Sequence, residues 1–200
     1  MRWLDTDELA QIYSDPVPAA LRKVADRLTD AYRAFIDRAR FCVLSTVGPE
    51  GTDASPRGDE GPVVRVLDPV TLAMPDWHGN NRIDSLQNIA RDDRVSLMFF
   101  VRGSQNVVRI NGRARITDDD ALCQSFAHDG KPPRTVIVVK IGEVYFQCAR
   151  AVMRSALWSG DDDSDGLPTP GEILAGMTDG EVGGTAYDRE WPVRAATSMW

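Results

Sequence analysis

The 200-residue sequence is poor in the residues that build metal sites and disulfide frameworks. Its three cysteines, Cys42, Cys123 and Cys148, are widely spaced, and no C-x-x-C pair occurs. An odd number of isolated cysteines indicates reduced thiols rather than a disulfide framework. Because His78 and His128 are the only histidines and neither has a cysteine clustered beside it, the sequence predicts no metal site.

Excess positive charge and long apolar runs are also lacking. Asp and Glu number 30 against 23 Lys and Arg, so the formal net charge is −7. A general nucleic-acid-binding domain is normally basic, and the composition therefore argues against one. No apolar run has the length of a membrane span, and the amino terminus lacks the apolar core of a secretory signal. We therefore expect a cytoplasmic protein with no membrane partner.

The common catalytic motifs are missing as well. There is no G-x-S-x-G, no phosphate-binding P-loop, and no cysteine in a recognisable pattern with a histidine. The segments GPEG and GDEG lack the strand–G-x-G-x-x-G–helix setting of a dinucleotide site. If the protein is an enzyme, a cofactor is expected to carry the difficult chemistry.

Helical periodicity is present at the amino-terminal end. Asp5 and Glu8 have the spacing of a capping box and predict a short helix that ends near Tyr13. Apolar residues over 17–40 recur every three or four positions, which predicts one long helix with a face packed on a sheet.

From Phe41 onward the periodicity changes to that of strands. Short runs rich in β-branched and aromatic residues occur at 41–47, 63–67, 71–74, 95–101, 106–116 and 135–148. Segment 52–62 is too polar for a buried strand and too rich in turn residues for a helix. Further helices are predicted at 82–90, 118–128 and 150–158, and a short one within 171–184. This pattern favours a mainly β protein with peripheral helices, as an antiparallel barrel or sandwich.

One segment combines the donors of an anion site. Asn80, Asn81 and Arg82 lie where a loop meets the start of a predicted helix, with Ser85 one turn later. Backbone amides at a helix start, a guanidinium, side-chain amides and a hydroxyl are suited to a phosphate. The structural alternative is that Asn81 caps the helix while Arg82 and Ser85 are surface residues.

The order of these segments resembles a known family. SPRGD, NRIDSLQNI, VVRINGRARI and CARAVMRSALW follow one another as in the pyridoxamine 5′-phosphate oxidase-like proteins, the FMN-binding split β-barrels, over residues 35–158. The resemblance implies helices at 1–40 packed on a barrel at 41–158, with an acidic loop and tail at 159–200, in a single domain overall. It also implies a homodimer with FMN at the interface.

The resemblance implies a cofactor site as well. Arg57 falls where the family's second strand reaches the FMN phosphate or ribityl chain, and the backbone from Ser55 runs along the ring. The family's basic pair at the next helix aligns with Asn81 and Arg82, but Ile83 stands where a second basic residue would follow. The remaining cofactor positions implied by the resemblance are Pro75, Asp76 and Ser85, with Asn106 and Val107 contributed by the second subunit.

The end of the chain departs from the vitamin B6 enzyme. It carries EWPVRAATSMW after an acidic linker and not the basic segment that grips the substrate of that enzyme. Arg150, Arg154 and Trp158 are spaced four apart, which predicts one helical face. This face either covers the flavin on the substrate side or at the partner subunit, or it is a solvated stripe with a packed tryptophan.

The leading hypothesis is an FMN-dependent oxidoreductase that transfers hydride or electrons at flavin N5 of FMN to or from an unknown small molecule. A non-catalytic flavin-binding redox sensor or carrier is the alternative from another class. A deazaflavin- or haem-binding split barrel is a third hypothesis.

Overall fold

The computed structural model describes residues 1–200 and contains one antiparallel sheet of seven strands. The strands are β1 Phe41–Gly48, β2 Gly51–Gly58, β3 Arg65–Asp68, β4 Thr71–Asp76, β5 Arg94–Phe100, β6 Val107–Thr117 and β7 Thr135–Gln147. Their order across the sheet is β2-β1-β5-β6-β7-β4-β3. The prediction of a mainly β fold, an antiparallel split β-barrel with peripheral helices, is confirmed.

The core lies on the inner face of the curved sheet. Alternate residues of β1 and β5 are buried, as the two-residue period of a strand requires. Leu44, Leu97, Phe99 and Ile110 are completely inaccessible and belong to one cluster of 20 buried residues. The central strands are therefore held by apolar packing on one face and by backbone pairing along both edges.

Segment 52–62, predicted as too polar for a buried strand, contains all but the first residue of the edge strand β2. It forms a hairpin with β1, in which Gly48 pairs with Gly51 and Phe41 pairs with Gly58. None of its residues is fully buried. An edge strand needs a partner on one side only, so backbone pairing with β1 creates β2 despite its polar sequence.

A β-bulge at Gly142 of β7 lies opposite the Asn111–Gly112 pair of β6. The register between β6 and β7 shifts between Asn111 and Gly112. A Cβ atom on Gly112 would lie 2.1 Å from the carbonyl oxygen of Lys140, so only glycine fits there.

The predicted long helix at 17–40 is wrong. After α1 Thr6–Ile12, which starts with the predicted capping box, the chain forms two short helices, α2 Pro18–Arg22 and α3 Asp30–Ile36. Between them, Ala25 exchanges two backbone hydrogen bonds with Val144 of β7, at 2.9 and 2.8 Å. These bonds to the sheet satisfy the backbone that a continuous helix would have paired internally.

The later helices are α4 Asp84–Arg91, α5 Asp120–Ser125, α6 Arg150–Arg154, α7 Pro170–Met177 and α8 Gly184–Ser198. The predicted helix at 150–158 ends early because Ala156 has a left-handed backbone, with φ of 49°. Helix α8 was not predicted; the Asp188 carboxylate joins it to α7 by accepting a 2.8 Å hydrogen bond from the amide of Gly171. No helix combines the length and apolar character that crossing a bilayer requires.

The three thiols differ in accessibility, which gives a test of the fold. Cys42 is completely buried, and burial raises its pKa to about 12; burial also raises the pKa of Cys123. Cys148 is exposed. We expect at most one thiol to react rapidly with Ellman's reagent in the native protein and three after denaturation, since the thiolate is the nucleophile and two of the thiols are buried. Cys148→Ser should remove the rapid phase, and a second rapidly reacting thiol would contradict the fold.

Candidate functional site

A cavity of about 560 Å³ lies where the two ends of the sheet approach each other. Strand β2 forms one wall and the end of β4 another; neither has a strand partner on the cavity side at Ser55–Gly58 and Met74–Asp76. The loop 77–83 and the start of α4 close a third side. The cavity therefore occupies the split of the barrel, with unpaired strand backbone at its walls.

An ion pair connects the two strands across the cavity. The Arg57 guanidinium donates a 2.6 Å hydrogen bond from Nη1 to Oδ1 of Asp76. Both side chains are about four-fifths buried, with 18% and 20% of their surface exposed. The Nε atom of Arg57 is buried and has no hydrogen-bond partner. A buried donor without an acceptor is costly, and a ligand atom that accepted from Nε would remove this cost.

The loop before α4 has several features suited to an anion. Asn81 has a left-handed backbone with φ of 60°, and the Asn80 side-chain oxygen accepts a 3.0 Å hydrogen bond from the amide of Arg82. Helix α4 begins after Ile83, and no side chain caps its first amides. The Arg82 guanidinium is 79% exposed and pairs with Asp84 at 2.8 Å. Free amides at a helix start beside a cavity can bind an anion.

A model of the pyridoxamine 5′-phosphate oxidase family matches residues 28–148. The chain belongs to this family. The match covers all seven strands of the sheet, including the cavity strands β2 and β4. It confirms the family resemblance read from the sequence. It ends before α6 and excludes the two helices at the carboxyl end.

Three solved structures that resemble this family member have low identity to it. A Lactobacillus delbrueckii protein described as a candidate pyridoxamine 5′-phosphate oxidase is 24% identical, with 60% of this chain and 95% of that chain covered and a TM-score of 0.48. HupZ of Group A Streptococcus is 16% identical, with 58% and 91% covered and a TM-score of 0.46. An FMN-binding protein of Syntrophomonas wolfei is 13% identical, with 58% and 88% covered and a TM-score of 0.43. No curated protein matches the chain.

Most of the cofactor residues expected for a pyridoxamine 5′-phosphate oxidase-like site line the cavity: Ser55, Arg57, Pro75, Asp76, Asn81 and Arg82. Ser85 does not, because its hydroxyl turns to β2 and donates a 2.7 Å hydrogen bond to Asp53. Asn106 and Val107 lie at the start of β6 and do not line the cavity within this protomer.

Arg150, Arg154 and Trp158 also lie outside the cavity. Arg150 is the first residue of α6 and Arg154 is its last, whereas Trp158 lies after the helix. The predicted common helical face of the three residues therefore does not form. The Trp158 indole donates a 2.7 Å hydrogen bond to the carbonyl oxygen of Ser104. This contact brings the end of α6 beside the start of β6, so the two segments expected to meet a second subunit are neighbours.

Sequence reasoning missed a second group of lining residues: Asp59, Glu60, Trp77, His78, Met199 and Trp200. The Trp77 indole donates a 2.9 Å hydrogen bond to Asp59. Trp77 and His78 directly follow the predicted Pro75–Asp76 pair, so that position was a usable signal. Nothing in the local sequence marks Met199 and Trp200, because only the path of α8 brings them to the cavity from a distant part of the chain.

Proposed function

We propose that the protein binds FMN in the cavity at the barrel split and acts as an FMN-dependent oxidoreductase on a small molecule. One observation carries this proposal: Arg57 lies in the cavity wall, and its buried Nε has no hydrogen-bond acceptor. The chain's membership of the pyridoxamine 5′-phosphate oxidase family supports a flavin as the ligand. When bound, FMN supplies hydride or electron transfer at N5.

The cavity residues fit such a cofactor. A volume of about 560 Å³ lies within the range of small-molecule and cofactor pockets. A phosphate or ribityl oxygen provides the acceptor that Arg57 Nε lacks, and the uncapped amides of α4 can donate to the same group. Apolar lining from Val63, Met74 and Leu86 excludes water from a flat ring.

The chain's own contribution is binding and orientation. The Asp76 carboxylate holds the Arg57 guanidinium in place, which reduces the freedom lost when a ligand binds. The unpaired backbone of Ser55–Gly58 offers amide and carbonyl groups along the wall. No lining side chain is assigned a proton-transfer role.

The direct test is to identify what the purified protein binds. We expect an oxidised-flavin absorption spectrum, and mass spectrometry of the denatured protein should identify FMN. Apoprotein should bind FMN more tightly than riboflavin, because riboflavin lacks the phosphate. Binding of deazaflavin but not FMN, a haem Soret band, or equal affinity for FMN and riboflavin would each contradict the proposal. Reduction of the bound flavin by NADH or NADPH, followed by reoxidation with a quinone, tests turnover against a carrier role.

The proposed assembly is a homodimer. Exposed apolar side chains occur along the segment from the end of β7 through α6 to Trp158. Phe146, Met153, Leu157 and Trp158 are 44%, 59%, 50% and 38% exposed. An apolar surface of this kind is typical of a subunit interface. A second protomer placed there would let Asn106 and Val107 contact its partner's cofactor.

Trp158→Arg is expected to shift the protein toward the monomer, because an interface tryptophan at a hot spot contributes about 2 kcal/mol or more, roughly thirtyfold in the dimer dissociation constant. Sedimentation velocity over a dilution series measures this. Trp191→Arg is the matched control, since Trp191 is 55% exposed on α8. A wild-type monomer at micromolar concentration, with flavin bound, would refute the dimer.

A further inference from the structure

Trp200 lies at the cavity in contact with two other segments of the chain. Its ring stacks on His128, with centroids 4.3 Å apart and planes 23° apart. It meets the ring of Trp77 edge-on, at 5.0 Å and 90°. Two residues earlier, the Ser198 carbonyl oxygen lies 3.1 Å from Nδ1 of His78. Both histidines of the chain therefore contact the segment that carries Trp200 to the cavity.

The same part of the cavity carries negative charge without a matching cation. Asp59 accepts the Trp77 indole hydrogen bond, and neither Asp59 nor Glu60 forms an ion pair. The two lining guanidinium groups, those of Arg57 and Arg82, are each paired with an aspartate. A ligand beside Trp77 and Trp200 therefore meets aromatic surface and uncompensated carboxylates.

One side of this corner comes from beyond the matched family region. Met199 and Trp200 lie some fifty residues past residue 148, where the family match ends. Helices α7 and α8 pack on each other, and no residue of α8 is buried. The contacts of Ser198 and Trp200 therefore hold the carboxyl-terminal segment against the cavity.

We propose that Trp200, together with Trp77, forms a substrate-selecting wall of the cavity that favours cationic or uncharged aromatic compounds over aromatic anions. Flat rings gain from stacking or edge contacts with indoles, and cations gain further from aromatic faces. Asp59 and Glu60 attract a cation and repel an anion. This inference rests on the proposed function, because it assigns a substrate class to the same cavity.

A matched set of probes tests the charge preference: benzamidine, benzamide and benzoate, which share a ring and differ in charge. Binding to the FMN-loaded protein is followed by perturbation of the flavin absorption, and binding to apoprotein by tryptophan fluorescence. We expect benzamidine to bind at least tenfold more tightly than benzoate, with benzamide between them. Equal binding of the three probes, or preference for benzoate, would overturn the inference.

Three variants of the wall residues and two control variants test whether the effect belongs to the wall. Trp200→Ala should weaken benzamidine and benzamide binding about threefold to tenfold, and Trp200→Phe should retain most of it. Trp191→Ala, on helix α8 that precedes Trp200 and outside the cavity lining, should leave it unchanged. Glu60→Gln should reduce the preference of benzamidine over benzoate by about threefold, whereas Glu50→Gln, outside the cavity, should not. Equal effects of the Trp200→Ala and Trp191→Ala substitutions on binding would contradict the role of Trp200. No effect of Glu60→Gln on the charge preference would contradict the role of Glu60.

The outcome is separable from that of the proposed function. Titration of the same variants with FMN measures cofactor affinity. Probe binding to the apoprotein measures the preference of the wall in the absence of FMN. Failure to bind FMN with an intact probe preference would refute the proposed function only. Normal FMN binding with no probe preference would refute this inference only.

Discussion

Arg57→Ala is expected to weaken FMN binding about tenfold to a hundredfold. The substitution removes the proposed charge-assisted hydrogen bond to FMN, and a bond of this kind contributes about 1.5–3 kcal/mol. It also removes the guanidinium that spans the cavity from β2 to Asp76 on β4. The dissociation constant of FMN, measured by fluorescence titration of the apoprotein, gives the size of the effect. Circular dichroism of the same samples establishes that the variant is folded.

Two other arginines serve as comparisons. Arg27→Ala should not change FMN affinity, because Arg27 lies between α2 and α3, is two-thirds exposed, and pairs only with Asp26. Arg82→Ala should weaken FMN by less than about fivefold, since its guanidinium is largely exposed and already paired with Asp84. The sequence alone suggested equal roles for Arg57 and Arg82. Equal FMN affinity in all three variants would show that Arg57 does not bind the FMN phosphate or ribityl chain.

Phe99→Ala is expected to destabilise the protein by about 3–5 kcal/mol. Phe99 lies on β5, a central strand, and its side chain is completely buried in the main core cluster. Truncation removes apolar contacts and leaves a cavity that the surrounding strands cannot fill, which sets that magnitude. The free energy of unfolding from urea denaturation of the apoprotein, followed by circular dichroism, measures the loss.

The neighbouring residue provides a matched control. Phe100 points to the opposite face of β5, where it is half-buried and meets Phe41 with ring centroids 5.9 Å apart. Phe100→Ala should therefore cost about 1 kcal/mol. If both substitutions cost the same, the assignment of the two faces of the strand would be incorrect.

The sequence alone determined the features that depend on neighbouring residues. Apolar runs predicted β1, β5, β6 and β7, because alternation along a strand directly reports which face is buried. The Asp5–Glu8 capping box is also local. The order of several motifs was sufficient for the family, which the family model confirms over residues 28–148.

Tertiary structure decided the features that depend on residues far apart in the sequence. Strand β2 exists because β1 pairs with it, and the helical pattern at 17–40 is interrupted because Ala25 bonds to Val144. The Arg57–Asp76 pair spans 19 positions and forms only when the ends of the sheet meet. Trp200 reaches the cavity only through the path of α8. Local propensity carries no information on such contacts, because their free energy comes from partners that only the folded chain brings within reach.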